Sequence, residues 1–596
     1  MIKPEDSDSE FYDALEVIES SNSDTHKTES QSSSPPSTKS DNIKYSESCQ
    51  HIKLGNEKVN YPLEISQDDK DFHFSQQEAY LAIHSYFNNE YEKSLQISNN
   101  GHSMYHRLIN SYILYLQAGL TVERTVIVES IEAVNKALEI TTKMRPKKIS
   151  KIITEQEAHA ELCYAELLME QAFLSFMEDE NLVAFVKGAY RIKKCIDAIK
   201  NCLLISDRVE WRSQLSKDNF NSGLWLGHGC YLLLVSLLPN KVLRLFKFIG
   251  IRGDKLEGLN QIITSARMID SIRGIFSAFI YILYEVVSNH QFGYGSCDVE
   301  KCREILKLYE GKCSQGAIFL FCKARIELTS RHIEKAIRLY YDSLKSQNTS
   351  KSLHCICYWE LMWIYSLRCD WFIAVKFADR LVQFSSWSKI TYCYLEAIFL
   401  LQSDDQSQSV VNKIKKLMEY IPLKRRKIAG KSIPSEKFII QKTERHNSGS
   451  KLPVPAIEMM YLWNQLEMIK DNSKLIDSFL NIIKKERKLN DINDKYYYDN
   501  LALLDLLTGV CLRLSGDTHG AKKYFISAAT GNKKITDTYI APYSLFELAK
   551  LYLQDDTESG IDQAYDCYNQ AAAHSNFALQ SRLFFRMKAF KTKLEL

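Results

Sequence analysis

The side chains best suited by type to chemistry fall in four short groups. Ala429–Gly430–Lys431–Ser432 carries the lysine and the hydroxyl of a phosphate-binding loop. Such a loop needs an earlier glycine, five residues before the Gly-Lys pair, so that backbone amides can wrap the phosphates. Arg425 stands there instead, and a helix rather than a strand precedes the stretch. His354, Cys355 and Cys357 are close together, and His102 and His106 lie four apart. Neither set brings the four ligands of a structural zinc site or the His-Glu-x-x-His of a metalloprotease. Gly227-x-Gly229 is too short for a dinucleotide fingerprint, and no strand precedes it. There is no Gly-x-Ser-x-Gly elbow, and no pair of carboxylates is set for acid–base work. The pattern predicts no cofactor, no metal and no catalysis.

Two other groups point to binding. Trp359 and Trp363 lie one helical turn apart, Trp371 begins the next helix, and Trp387 follows. Large aromatics fill the gaps between helix pairs. The functional alternative is an aromatic wall, Trp359, Trp363 and Trp371, of a groove that takes a partner peptide. The second group is Glu10, Phe11, Tyr12, Asp13, Ala14 and Glu16, in the island EFYDALE of an acidic, serine-rich stretch. It resembles the motif of two phenylalanines in an acidic tract, with core Glu-Phe-Phe-Asp-Ala-x-Glu and Tyr12 in place of the second aromatic. That resemblance implies binding to the major-sperm-protein domain of a VAMP-associated protein on the endoplasmic reticulum. The flanking Glu5, Asp6 and Asp8 would steer the segment to a basic surface. Phe11 would then fill an apolar pocket and Asp13 would accept hydrogen bonds. Phosphorylation of Ser7 or Ser9 would add charge of the same sign.

The elements that carry these groups must be helical. Gly and Pro number 22 and 11 in 596 residues, about half their usual joint share. Scarce breakers with plentiful Leu, Ile, Lys and Glu favour helix. A net charge of +3 gives no concentrated basic face for nucleic acid. The 15 cysteines include no C-x-x-C, and the start MIKPEDSDSE is too polar for a secretory signal. A reducing, cytoplasmic setting is expected, with thiols acting as small buried hydrophobes.

Residues 1–72 are too polar to bury enough surface to offset their ordering entropy and read as a disordered tail. Residues 73–220 read as N-terminal helical repeats, with a turn at Asn88–Asn89 and helices such as Glu155–Glu178. Residues 221–290 read as apolar central helices. Gly223–Leu259 is the most apolar stretch, expected to be the buried element around which the rest is arranged. Its run Leu224–Leu238 is too short for a transmembrane span, which needs about 20 apolar residues. The following Val242–Ile249 is amphipathic, with Lys241, Arg244 and Lys247 spaced three apart. That run supports an alternative reading as a lipid-binding or peripheral membrane protein. Ser271–Ser288 reads as a further apolar helix.

Residues 297–596 repeat internally. Gly509, Ala521, Phe525 and Ala528 are spaced twelve, four and three apart. Ala324, Ala336, Tyr340 and Ser343 keep the same spacing, and Ala549, Ala564, Tyr568 and Ala571 keep it with three extra residues in the turn. Met362 and Ala374 keep the twelve-residue step, with Tyr365 nearby. In this spacing small residues sit where two helices cross and an aromatic fills the gap to the next pair. It is similar to the 34-residue tetratricopeptide repeat. Residues 424–455, basic and Pro-containing, read as a loop inserted between repeats. The expected fold class is all-α: an α-solenoid of tetratricopeptide-like helix pairs behind the tail.

Five segments carry a closer resemblance: EAHAELCYAELL (157–168), SLLPNKVLRLFKFIGIRGDKLEG (236–258), CYWELMWIYS (357–366), IAGKSIPSEKF (428–438) and LPVPAIEMMYLWN (452–464). Together they resemble the tetratricopeptide repeat protein 39 family, which shares ancestry with the fungal inclusion-body clearance protein. The resemblance implies an all-helical, non-enzymatic protein that acts through protein contacts and is linked to lipid handling and inclusion clearance. It carries over no catalytic residue. An adaptor or scaffold is therefore expected, cytoplasmic or peripheral at the endoplasmic reticulum, a lipid droplet or the mitochondrial outer surface. An enzyme of unrecognised type is the remaining alternative.

Overall fold

The computed structural model describes residues 67–149, 153–178, 182–238, 252–292, 296–424, 427–428, 431–531, 535–555 and 557–594. Both Glu10–Glu16 and the amphipathic run Val242–Ile249 lie outside them.

The helices of eight residues or more are taken in order. In the N-terminal part they are α1 Gln67–Phe87, α2 Tyr91–Asn100, α3 Met104–Thr121, α4 Arg124–Met144, α5 Glu155–Glu178, α6 Leu182–Ile205, α7 Gln214–Leu237, α8 Lys255–Ala266 and α9 Gly274–Leu283. Then come α10 Val299–Leu308, α11 Ala317–Thr329, α12 Ile333–Lys345, α13 Lys351–Leu367, α14 Trp371–Phe384, α15 Lys389–Gln402 and α16 Gln408–Tyr420. The last are α17 Pro434–Asn447, α18 Pro455–Leu462, α19 Ser473–Lys488, α20 Tyr497–Ser515, α21 Thr518–Ala529, α22 Ile540–Leu553, α23 Glu558–Ala573 and α24 Gln580–Leu594. α1 begins inside the stretch read as tail. Side chains that accept backbone N–H groups start many of the others, among them Ser103, Asp370, Asp517 and Thr557.

Most helices pack on the next one in sequence, as a solenoid requires. The repeat residues lie where helix pairs cross. Gly509 on α20 faces Phe525 on α21, and a Cβ at Gly509 would come within 2.6 Å of that ring. Ala521, Phe525 and Ala528 are buried, as are Ala324, Ala336 and Tyr340 in the pair α11–α12. Tyr340 packs on Phe321, with ring centroids 5.8 Å apart. Ala521→Leu should overpack the α20–α21 crossing by about 1–3 kcal/mol. A thermal midpoint unchanged from wild type in the full chain would argue against that packing.

The turns inside these pairs share a device. Asn89, Arg331, Cys369 and Gly516 each adopt a left-handed backbone, with φ of 70°, 65°, 57° and 88°. Asn89 and Gly516 are residue types that favour this backbone and Arg331 and Cys369 are not, so turn chemistry alone reveals two of these hairpins.

Three expectations are corrected. First, the element enclosed by both halves is α11, not Gly223–Leu259. Phe319, Cys322 and Ile326 of α11 join the N-terminal core, while Phe321, Ala324 and Leu328 join the C-terminal one. α7 leaves Leu234 44% exposed, and its buried apolar residues join N-terminal clusters alone: Leu233 in one, Phe220 and Leu224 in a second, Tyr231 and Val235 in a third. Glycines serve the close crossing of α7 and α8: a Cβ at Gly229 would lie 2.7 Å from the Gly258 carbonyl oxygen, and one at Gly258 2.8 Å from that of Gly229. Second, Ser271–Ser288 is not one regular helix. α9 runs into a π-helical turn, Tyr284–Asn289, and the Val286 carbonyl there accepts a hydrogen bond from buried Arg325. Third, the 424–455 insertion is not loop throughout but contains the 14-residue helix α17. Lys427–Ile428 and Lys431–Ser432 form a short antiparallel pair, and Pro434 then opens α17. Glu436, Lys442 and Arg445 are buried on α17, which erases its apolar period.

The array also folds back on itself. Lys588 Nζ on α24 donates to the carbonyls of Ser236 and Leu238 at the end of α7, at 2.7 and 2.6 Å. The Trp387 indole donates to the Leu120 carbonyl at 3.3 Å, and Asn464 donates to the His290 carbonyl at 2.7 Å.

Candidate functional site

A groove of 1320 Å³ lies in the C-terminal half, between α17, the turn before α22 and the turn before α24. α17 forms one wall because Phe438 and Ile439 anchor it in the core. The turn before α22 is held from below by Asp499, whose Oδ1 accepts from the Thr536 and Asp537 amides at 2.7 and 2.6 Å. The turn before α24 contains left-handed Asn576 and Leu579, and the Leu579 carbonyl accepts from the Tyr543 hydroxyl at 3.2 Å.

The groove floor is charged and internally paired. Lys442 Nζ sits 2.7 Å from Glu458 and 2.8 Å from Asp537. Arg445 lies 3.3 Å from the same Asp537 oxygen and donates to the Lys451 carbonyl at 3.1 Å and to Asn500. Tyr539 donates to Glu458. Burial disfavours the charge of Lys442, but Asp537 and Glu458 outweigh it and raise its pKa above the usual lysine value. Burial likewise works against ionised Asp537, and Lys442 and Arg445 outweigh it, so its pKa is lowered. These groups hold one another, so none is poised to exchange protons with a substrate.

A depressed carboxyl pKa has a definite sign. The stability this pairing supplies is complete above the ordinary aspartate value of 3.8 and is lost as pH falls through the lower folded value. The thermal midpoint should therefore fall as pH drops below the ordinary aspartate value of 3.8. A flat acid profile in far-UV circular dichroism would contradict the pairing.

The groove rim is exposed: Lys437, Gln441 and Glu444 on α17, Lys495, and Phe584 on α24. Phe584 also packs edge-on against Phe577.

The sequence-derived candidates fall elsewhere. Trp363 is 1% exposed and packs edge-on against Trp359 and Phe399. Trp371 stacks on Phe399, and Trp359 packs on Tyr392. The three fill the space between α13, α14 and α15, so Trp363 cannot line an open groove. Trp387 is exposed but bonds the N-terminal half. Lys431 and Ser432 lie in a two-residue strand before the Ile433 N-cap of α17 rather than in a glycine-rich loop leading into its first turn, the arrangement that holds phosphate. His354 Nε2 donates to the Gln347 carbonyl at 2.9 Å, and Cys355 and Cys357 are buried free thiols. Among the described residues no cluster of His, Cys, Asp or Glu could hold a metal, and no helix is long and apolar enough to cross a membrane. Sequence reasoning missed the groove entirely. Its one visible signal was the run of Lys and Arg in 424–455, which was read as loop.

The fold and groove define a class: a helix-pair solenoid of the tetratricopeptide type, which acts as a scaffold for protein contacts. The family model described as Iml2/Tetratricopeptide repeat protein 39 matches residues 80–514, and the chain belongs to that family. It is similar to the tetratricopeptide repeat protein ttc-39B of Caenorhabditis elegans, 29% identical over 534 residues, covering 86% of this chain and 90% of that one. Among solved structures, the human IFIT1 dimer with PPP-AAAA is similar at 14% identity, with a TM-score of 0.28, covering 78% of this chain and 95% of that one. Yeast Tom70 is similar at 12% identity, with a TM-score of 0.19, covering 89% and 97%.

Proposed function

We propose that the chain is a non-enzymatic adaptor whose C-terminal groove takes an extended segment of a protein partner. One observation carries this reading: the charged groups of the floor are paired with one another, while Lys437, Lys495, Gln441, Glu444 and Phe584 line the open rim. Such a floor supports recognition, with no buried acid, base or nucleophile left free to react. Lys437 and Lys495 suit an acidic residue of the partner, and Phe584 with Phe577 suits an apolar one. A displayed peptide library selected on the full chain tests this. Selected peptides should bind Gln441→Trp, which fills the groove from an exposed position, at least about tenfold more weakly. Equal binding by that variant would sink the reading.

The finer placement rests on residues 10–16. Their match to the two-phenylalanine motif supports tethering of the adaptor to a VAMP-associated protein at the endoplasmic reticulum. A peptide covering Lys3–Ser20 should bind the purified major-sperm-protein domain, more weakly at higher salt. Phe11→Ala or Asp13→Ala should abolish binding, and a Phe11→Ala peptide that binds equally well excludes the tether. Roles in lipid handling or inclusion clearance are what membership of the family suggests. Flotation with liposomes, with and without the run 241–249, separates a direct lipid contact from a protein tether.

A further inference from the structure

A second cavity lies in the N-terminal half, far from the groove in sequence and opposite to it in character. Helices α3, α5, α6, α7 and α9 surround 340 Å³, a volume in the range of small-molecule pockets. Its walls are apolar and aromatic, with Tyr112, Tyr115, Met169, Phe173, Leu226 and Phe276 prominent among them. Leu234, 44% exposed, stands at its edge.

Two carboxyl groups line this apolar space, and their situations differ. Glu166 is fully engaged: Arg273 holds it through Nε at 3.0 Å and Nη2 at 2.7 Å. Glu170, one helical turn on, is only 5% exposed, and neither of its side-chain oxygens has a hydrogen-bond partner. Ser111 is the nearby polar group that favours its ionised form, yet the Ser111 hydroxyl donates to the Leu108 carbonyl at 2.8 Å. Burial, assisted by the Glu166 charge, pushes the Glu170 pKa well above the usual carboxyl value. The group is then a neutral acid, with one O–H to give and a carbonyl to accept.

A buried polar group left without a partner is costly and calls for an explanation. The geometry points to a binding site for an uncharged amphiphile: an apolar body in the pocket and one hydroxyl or carbonyl oxygen paired with Glu170. The head must be uncharged because the nearest cation is already committed. Besides Glu166, Arg273 donates to the Tyr105 hydroxyl at 3.1 Å, to the Asn219 carbonyl at 3.3 Å and to the Cys163 sulfur at 3.6 Å. The other titratable groups facing Glu170 are Tyr112 and Tyr115 of α3, Cys195 of α6 and Cys230 of α7. Burial raises the pKa of each, so all are neutral. A carboxylate or phosphate ligand would enter as an unpaired charge.

The test uses the full chain and the neutral dye N-phenyl-1-naphthylamine, whose fluorescence rises in apolar sites. The dye should bind, and 1-decanol should displace it at a concentration about tenfold or more below that of sodium decanoate. At Gly227 a Cβ would lie 3.5 Å from Ile199, an ordinary contact, so Gly227→Leu extends into the cavity without a backbone clash. That variant should keep its circular dichroism spectrum and lose both dye and decanol. Glu170→Leu should keep the dye but lose the preference for decanol over decane, and Glu170→Gln should retain that preference. Glu170→Gln should also remove a protonated-carboxyl band from the infrared spectrum at neutral pH. Failure of the wild type to bind the dye, equal displacement by decanol and decanoate, or unchanged binding by folded Gly227→Leu would each overturn the proposal.

Discussion

Glu547→Ala should destabilise the C-terminal half by about 3–5 kcal/mol, the range for removing one partner of a buried ion pair. Glu547 is fully buried on α22 and stands at the centre of a cluster. Arg513 Nε lies 2.9 Å from it, Lys550 Nζ 3.0 Å and Arg586 Nη2 3.4 Å. Glu467 is the second acid, bonded to Arg513 at 2.5 Å and near Lys550 at 3.2 Å. Three cations therefore share two carboxylates. Burial alone would raise the Glu547 pKa, but Lys550, Arg513 and Arg586 together lower it. Lys550 is pushed the other way from a normal ion pair: burial and then Arg513 lower its pKa despite both glutamates. Without Glu547 the cluster keeps three cations and one acid, and the helices α20, α22 and α24 that carry them lose their shared counter-charge. Chemical denaturation of the full chain should show the loss as a lower midpoint for the C-terminal half. Glu547→Gln, which keeps the shape but not the charge, should be nearly as damaging. A variant within about 1 kcal/mol of wild type would mean the cluster is solvated rather than buried.

Arg273→Met should cost a similar amount, about 3–5 kcal/mol, and should act on the N-terminal half instead. Arg273 is 0% exposed and joins α3, α5 and α7 through Tyr105, Glu166 and Asn219. Gly223 on α7 makes room for it, because a Cβ there would lie 3.0 Å from Arg273 Nε and 2.7 Å from Leu162. Truncation to methionine leaves Glu166 buried beside Glu170 with no counter-charge. The double variant Arg273→Met with Glu166→Leu removes both charges and should recover most of the loss. Equal stability of the single and double variants would show that the arginine acts through packing alone.

Much of the architecture was legible along the chain. The bounds of α5 were readable because Leu162, Ala165, Leu168 and Ala172 recur on one face, and its first turn is acidic. The helix pairs of the C-terminal half were readable because close crossing demands small residues at Gly509 and Ala521, Ala324 and Ala336, at a fixed step. A backbone cannot approach closely with a larger side chain between, so the spacing carries the geometry.

Other features left no such trace. α17 was hidden because its buried face carries Glu436, Lys442 and Arg445, whose partners Ser388, Asp537 and Asn500 come from turns and helices far along the chain. Charged residues read as surface until the opposing charge is in view. The same reason concealed Glu170: in sequence it is one more glutamate on an amphipathic helix, and only the packing of four other helices removes it from water. Local sequence determined most of the helices, the pair crossings and the family. Tertiary structure alone decided which charges are buried, because burial depends on what arrives from elsewhere in the chain.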